Sequence, residues 1–457
     1  MRGTVLTPSA ANHSKRAAFK TLGCKLNQAE TESIAAGFRA LGWDIVDIGH
    51  PADAVIINSC TVTNTADRKS RQALNRVLRA AHGNQTLIVV AGCYADAYRE
   101  LLKADDRLYV VGNRHKSRIP WLVEAHFKGE KILCDQNLDE KPFDYPTVKK
   151  VFRTRAMVKV QDGCDNRCAY CVIPFVRGRA ISRLLPHIVQ SVENAVAAGS
   201  REIVLTGVNI SRWQDGTKYF VDMLEACLKV DGAFRLRLGS IEPERIDNSL
   251  ILLMKHPKMT PHLHLCLQSG SETVLRSMKR RYTASQYVEI AKRLGQSVQG
   301  FNLTTDVIVG FPGETDEDFA DTVTLCRNLQ FGHIHTFPYS RRHGTLADRM
   351  DHQVSLQIKR ERAEYIRSIS KTKKRQFRET LIDSLQEVLV EKVEYADGVC
   401  IARGLAANYV PVRFKVSGNS AFDMVYNRMF RVRIAAIDTG DNPELIGEET
   451  HAPPFTE

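Results

Sequence analysis

Three short apolar runs, each closing on a cysteine that opens a helical stretch, limit the folds open to this chain more than any other feature. Ala18–Gly23 runs into Cys24, Ala54–Ser59 into Cys60 and Leu87–Gly92 into Cys93. After Cys24, Ile34, Phe38 and Leu41 recur at helical spacing and Gly42 supplies a stop. Repeated strand–helix units predict a small parallel α/β domain, in which ligands bind at the carboxyl ends of the strands. The cysteines stand 36 and 33 positions apart (60−24 and 93−60), yet equivalent strand ends would gather them. One cysteine in such a place is a small apolar residue filling a turn. Three in register are better explained as a three-thiolate iron–sulfur site with one iron left open.

A second set of thiols follows. Asp162–Cys171 spaces Cys164, Cys168 and Cys171 as Cys-x3-Cys-x2-Cys, directly after the strand-like run Met157–Gln161. Tetrahedral zinc wants four ligands, and no fourth cysteine or histidine follows locally. Three thiolates suit a cubane cluster with an open iron, where chemistry can occur. Zinc and a chance spacing stand as the alternatives.

From here strands and helices alternate as a parallel barrel or partial barrel requires. Strands are expected at Ala156–Gln161, Ile203–Thr206, Phe234–Leu238, His262–Leu267, Leu303–Val309 and His333–Phe337. Amphipathic helices carry Leu185, Ile188, Val192 and Val196, then Tyr287, Ile290, Ala291 and Leu294. A third carries Phe319, Val323 and Cys326 behind a Thr315-x-x-Asp318 capping box. A charged helical connector from Ser355 to Thr380 leads to the short strands Glu387–Val393, Val399–Gly404, Tyr409–Val416 and Met429–Ala435, the pattern of a small β-barrel. The expected organisation is a disordered tail (1–16), an α/β domain (17–138), a linker (139–150), the barrel (151–380), a small β-barrel (381–449) and a tail (450–457).

Charge and cysteine usage bound the partners and the compartment. Lys and Arg total 64 against 52 Asp and Glu, a net charge of +12 that suits a polyanion such as RNA. Eleven cysteines are an odd count, the first sixteen residues are polar, and no apolar run is long enough to span a bilayer. Reduced thiols in a cytoplasm, with no membrane association, are expected.

The Cys164–Cys171 stretch resembles the signature of radical S-adenosylmethionine enzymes. The two cysteine triads, in this order, resemble the methylthiotransferases of that superfamily over nearly the whole chain after the tail. Thr21-Leu22-Gly23-Cys24-Lys25-Leu26-Asn27-Gln28 is similar to the branch acting on N6-threonylcarbamoyladenosine at position 37 of tRNA. The resemblance implies an N-terminal α/β domain, a partial (β/α) barrel and a C-terminal barrel of the RNA-binding TRAM kind. It also implies two 4Fe-4S clusters and S-adenosylmethionine. Cys164, Cys168 and Cys171 would be catalytic, holding the cluster that reduces S-adenosylmethionine to a 5′-deoxyadenosyl radical. Cys24, Cys60 and Cys93 would hold the cluster that carries the inserted sulfur, and another S-adenosylmethionine would give the methyl group.

Tyr170 would pack on the adenine of the cosubstrate. The polar strand ends at Thr206, Gly207, Asn209, Ser240 and Gln268 would line the rest of its pocket. Implied partners are a tRNA anticodon stem-loop, an electron donor such as flavodoxin or ferredoxin, and a sulfur donor. Arg403, Asn408, Tyr409, Arg413 and Lys415 would meet RNA. The same chemistry on prenylated adenosine or on a ribosomal-protein aspartate is the alternative within the class, and an RNA-binding iron–sulfur sensor the alternative outside it. Cys227 and Cys326 fall at core positions, His262, His264 and Cys266 read as packed barrel interior, and Cys134 and Cys400 have no partner spacing.

Overall fold

A computed structural model of the chain describes residues 14–81, 86–103, 108–130, 140, 142–145, 154–396, 399–416, 422–440 and 442–450. Most of the expected tails and linker, together with Cys134, lie outside the described residues. The chain forms two compact units, one of residues 1–23, 30–61 and 66–146, the other of residues 24–29, 62–65 and 147–457.

The first unit is built on five parallel strands: β1 (Arg16–Thr21), β2 (Asp44–Val46), β3 (Ala54–Ser59), β4 (Leu87–Gly92) and β5 (Leu108–Val111), in the order β2-β1-β3-β4-β5. Parallel sheets are covered on both faces, so their strands are apolar throughout, and β4 is buried at every residue. Alternate side chains feed two cores. Ile56, Val89 and Ala91 pack with Phe38, Trp43 and Leu122, while Ile57, Ile88 and Val90 pack with Leu74, Val77 and Tyr94. Two expectations need correction. Arg16 belongs to β1 rather than to the tail. Leu41, expected on the apolar face of α1 (Lys25–Ala40), follows the helix end and is exposed, whereas Ile34 and Phe38 are fully buried.

In the second unit, parallel strands at Arg155–Lys159, Glu202–Thr206 and Arg235–Leu238 form one sheet. Those at Ser240–Ile241, His262–Leu265, Asn302–Val309 and His333–Pro338 form the next. Strand follows strand in chain order, and Gly239 separates Leu238 from Ser240 where one sheet gives way to the other. This is the expected partial barrel, with ends shifted by a residue or two. The largest apolar core fills the space between strands and helices. The helix Leu356–Glu379, capped by Ser355 accepting from the Ile358 amide at 3.3 Å, matches the expected connector.

The C-terminal segment closes into a five-stranded barrel in the order Leu385–Ala396, Val399–Ala406, Pro411–Lys415, Leu445–Glu449, Met429–Ile437. Four of these strands were expected. The fifth, Leu445–Glu449, carries two apolar residues and a glycine, too little for an alternation signal.

Candidate active site

The loop carrying Cys164, Cys168 and Cys171 is held by backbone bonds and one buried side chain. Gly163 adopts φ +66°, and a Cβ there would lie 2.0 Å from the Arg179 carbonyl oxygen, so only glycine lets the two segments meet. Ala169 donates to the Met278 carbonyl (2.9 Å) and accepts from the Ala347 amide (2.8 Å), which clamps the loop from two sides. Gln161, buried beneath it, donates to the carbonyls of Asp162 (2.8 Å) and Gly163 (2.7 Å). Its Oε1 accepts from the amides of Val208 (2.9 Å) and Asn209 (2.8 Å). One glutamine thus couples the cysteine loop to the next strand end. Asp162, paired with Lys159 (2.6 Å) and Arg177 (2.8 Å), anchors the same place, and Arg177 also donates to Asn27 (2.7 Å).

The sulfurs sit among hydrogen-bond donors. The Asn166 amide donates to Cys164 Sγ at 3.4 Å and Arg280 Nη1 to Cys168 Sγ at 3.1 Å. Burial pushes the Cys171 thiol up to about 12, with the neighbouring Cys168 adding to the rise, and burial likewise raises Cys164. Such thiols keep their protons until a metal displaces them. Three clustered sulfurs with N–H groups directed at two of them fit a thiolate-bound iron–sulfur cluster in donor type and number.

Arg280 was not expected. It touches Cys168, donates to the Tyr170 hydroxyl (3.4 Å) and the Tyr282 hydroxyl (3.1 Å), and pairs with Glu242. Its place within the charged run Lys279–Arg281 hid it as solvated surface. Tyr170 packs beside Ala169, Met278 and Phe311.

The expected cosubstrate residues divide. Thr206 is buried at a strand end and accepts from the Val160 amide (2.9 Å), and Gly207 lies so close to Gln161 that a Cβ would stand 2.8 Å from its carbonyl oxygen. Asn209 is buried, its Oδ1 accepting from the Ser211 hydroxyl (2.8 Å). Gln268 is buried with φ +68°, its backbone bonded to Asp306 and Ile308, a strained geometry of the kind found at ligand sites. Ser240, by contrast, is exposed.

In the first unit, β3 and β4 pair Ser59 with Gly92, so Cys60 and Cys93 leave adjacent strand ends side by side, both 3% exposed. Gly92 has φ +99°, with Ser59 O 2.4 Å from where a Cβ would be. The Ser70 hydroxyl brackets Cys60, accepting from its amide (3.1 Å) and donating to its carbonyl (2.8 Å), and Asn113 Nδ2 donates to Cys93 Sγ at 3.7 Å. The neighbouring β1 ends at Thr21, in register with Asn58, and Cys24 follows three residues later, exposed.

The amino-terminal ends of the barrel strands hold a polar floor that the sequence did not reveal. Glu202 is fully buried and accepts from Arg235 Nε (2.6 Å), Arg237 Nε (2.6 Å) and Arg237 Nη2 (3.0 Å). The same arginines donate to the Leu405 carbonyl (2.9 Å) and the Ala407 carbonyl (3.0 Å) of the C-terminal barrel, and Asn302 donates to Asn408 O (2.7 Å). Tyr409 rides on this turn with φ +70°, its ring 4.8 Å from that of His262. Asn408 and Tyr409 are thereby turned towards the central barrel. Arg403 and Arg413 remain partly exposed beside Glu394 (3.7 Å) and Asp438 (3.4 Å). Higher in the interior, His264, Cys266 and Asp306 gather with donor atoms within 4.8 Å of one another. His264 and Cys266, expected as packing alone, are therefore joined by an acid from the next strand. Among the described residues no helix is long and apolar enough to cross a membrane.

Comparison with known proteins agrees with this layout. Residues 16–112 match the Uncharacterized protein family UPF0004 and residues 158–326 the Radical SAM superfamily. The threonylcarbamoyladenosine tRNA methylthiotransferase MtaB of Bacillus subtilis is 35% identical over 410 residues, covering 87% of this chain and 90% of its own. Its namesake in Chlamydia pneumoniae is 34% identical over 440 residues, covering 93% and 96%. Among solved structures, the radical S-adenosylmethionine methyltransferase TsrM of Kitasatospora setae superposes with a TM-score of 0.53 at 13% identity, over 71% of this chain and 73% of that one, a likeness of fold.

Proposed function

The chain belongs to the radical S-adenosylmethionine methylthiotransferases, on their threonylcarbamoyladenosine branch, and we propose that it adds a methylthio group to carbon 2 of N6-threonylcarbamoyladenosine at position 37 of tRNA. It is a tRNA-modifying transferase that uses S-adenosylmethionine and iron–sulfur chemistry. The observation that carries the substrate reading is identity of 34–35% to relatives of that one name, over 80–93% of this chain.

Replacing an aromatic C–H by C–SCH3 lies beyond any side chain, so bound groups must carry it. When bound, a cluster on Cys164, Cys168 and Cys171 supplies the electron that cleaves S-adenosylmethionine, and a second on Cys24, Cys60 and Cys93 supplies the sulfur chemistry. The chain's own residues position and shield. Gln161 ties the backbone that leads into the cysteine loop to Val208 and Asn209, at the strand end that would meet the cosubstrate. Arg280 holds Cys168 and Tyr170 together and offsets thiolate charge. In this reading Thr206, Gly207, Asn209 and Gln268 contact the cosubstrate, and Arg403, Arg413 and Lys415 meet an anticodon stem-loop. The enzyme works in the cytoplasm with an electron donor such as flavodoxin or ferredoxin and a separate sulfur donor.

Mass spectrometry of nucleosides from tRNA of a strain lacking the gene tests this. Loss of the methylthio derivative with accumulation of threonylcarbamoyladenosine is the expected result. An unchanged nucleoside profile, or loss of a thiomethylated prenyl-adenosine instead, overturns the substrate assignment.

A further inference from the structure

The floor of the central barrel gathers more positive charge than its carboxylates match. Around the Tyr409 ring stand Arg237 Cζ at 4.6 Å, Lys25 Nζ at 4.9 Å and Arg155 Cζ at 5.6 Å from the centroid. Arg155 is paired with Glu391 (2.7 Å), and Arg237 shares Glu202 with Arg235. Lys25, half-buried and grouped with this unit, has neither a carboxylate nor a hydrogen-bond partner among the described residues. Arg237 Nη1 is a second donor left over: it is fully buried and bonded to nothing, although the rest of its guanidinium is saturated. The Nδ1 atom of His262, stacked on the same tyrosine, is also buried without a partner. A buried donor left unmade costs about 1–3 kcal/mol, so groups of this kind persist where a ligand or water completes them.

What the cluster lacks is an anionic acceptor small enough to enter a barrel. A methyl-rich substituent would satisfy none of these donors, a phosphate belongs to the nucleic acid backbone outside, and a carboxylate matches both charge and size. We infer that Lys25 and Arg237, arranged around Tyr409, form a subsite for the carboxylate that ends the N6 substituent of the substrate adenosine, and so select that substituent over neutral ones. This rests on the proposed function, which supplies a substrate bearing such a group.

The test is equilibrium binding by fluorescence anisotropy of two labelled anticodon stem-loops. One carries N6-threonylcarbamoyladenosine and the other the same nucleoside with its carboxylate converted to a primary amide. Wild-type protein should prefer the carboxylate by about 10- to 100-fold, the range of one charged hydrogen bond. Lys25→Met should bring the ratio close to one by weakening only the carboxylate form, and Lys25→Arg should retain most of the preference. Equal binding of the two stem-loops by wild-type protein overturns the inference, as does a Lys25→Met variant that loses affinity for both alike. The proposed function is read separately, from the product masses after anaerobic reaction of the carboxylate stem-loop. Thiomethylated product with no carboxylate preference sinks the subsite alone, whereas absence of product sinks the function and the subsite with it.

Discussion

Replacing Glu202 by glutamine should loosen the central barrel at its floor. Burial opposes ionisation of Glu202, but the guanidiniums of Arg237 and Arg235 outweigh it and hold the carboxyl well below the usual carboxylate range. The glutamine amide keeps the shape, yet leaves Arg235 and Arg237, 4% and 0% exposed, facing a neutral group. Breaking a buried ion pair from one side costs about 3–5 kcal/mol. With an unfolding entropy of about 2.1 cal/mol/K per residue, each kcal/mol shifts the melting temperature of a unit this large by about 1–2 °C, so the transition should fall by about 3–10 °C. Trp213, buried in the central unit at 1% exposure, reports it by intrinsic fluorescence during a thermal scan. Adding Arg237→Met should recover part of the loss, because an apolar side chain there removes the uncompensated charge. The pH dependence has a definite sign. A depressed folded pKa gives stability that is complete above the unfolded value of about 4.5 and lost as pH falls below it, so the gap between wild type and Glu202→Gln should narrow in acid. A variant melting within about 2 °C of wild type at pH 7 would refute the ion-triad account.

Other outcomes follow from the same structure. Cys168→Ala should abolish 5′-deoxyadenosine formation and lower bound iron, and normal cleavage of S-adenosylmethionine would remove that triad from the mechanism. Gly163→Ala, at φ +66° against the Arg179 carbonyl, should cost at least about 1–3 kcal/mol and reduce iron retention, measured by thermal scan and iron assay; unchanged values would mean the loop relaxes freely. Burial lowers the pKa of His262, His333 and His335, that of His333 to about 3, so they stay neutral in the fold while the unfolded chain takes up protons near pH 6.5. Stability should therefore fall from pH 7 to pH 5, and His333→Gln should shrink that fall; an equal fall in both proteins contradicts it.

What the sequence disclosed was whatever local pattern encodes. β3 and β4 read correctly because continuous apolar runs ending in Cys60 and Cys93 have few other meanings in a parallel sheet. The Cys164–Cys171 loop was legible as a group of three thiols because its cysteines are neighbours in the chain. The floor was not, because Glu202, the Arg235–Arg237 pair and Tyr409 come from three separate places, each plausible alone as surface charge or an RNA contact. Only strand register, which sets Arg235 opposite Glu202, turns them into one network. Arg280 was lost for a related reason: Lys279 and Arg281 beside it made an inward guanidinium look like part of a solvated run.

Division of the work between two separate cysteine triads is decided by single-turnover analysis of Cys60→Ala. Anaerobically prepared protein would be reduced and mixed with S-adenosylmethionine and a threonylcarbamoylated stem-loop, and 5′-deoxyadenosine and thiomethylated nucleoside measured together. With divided triads, 5′-deoxyadenosine should continue to form while the thiomethylated nucleoside disappears. Retention of the thiomethylated product, or loss of both signals in a variant that still binds its Cys164–Cys168–Cys171 cluster, would contradict it.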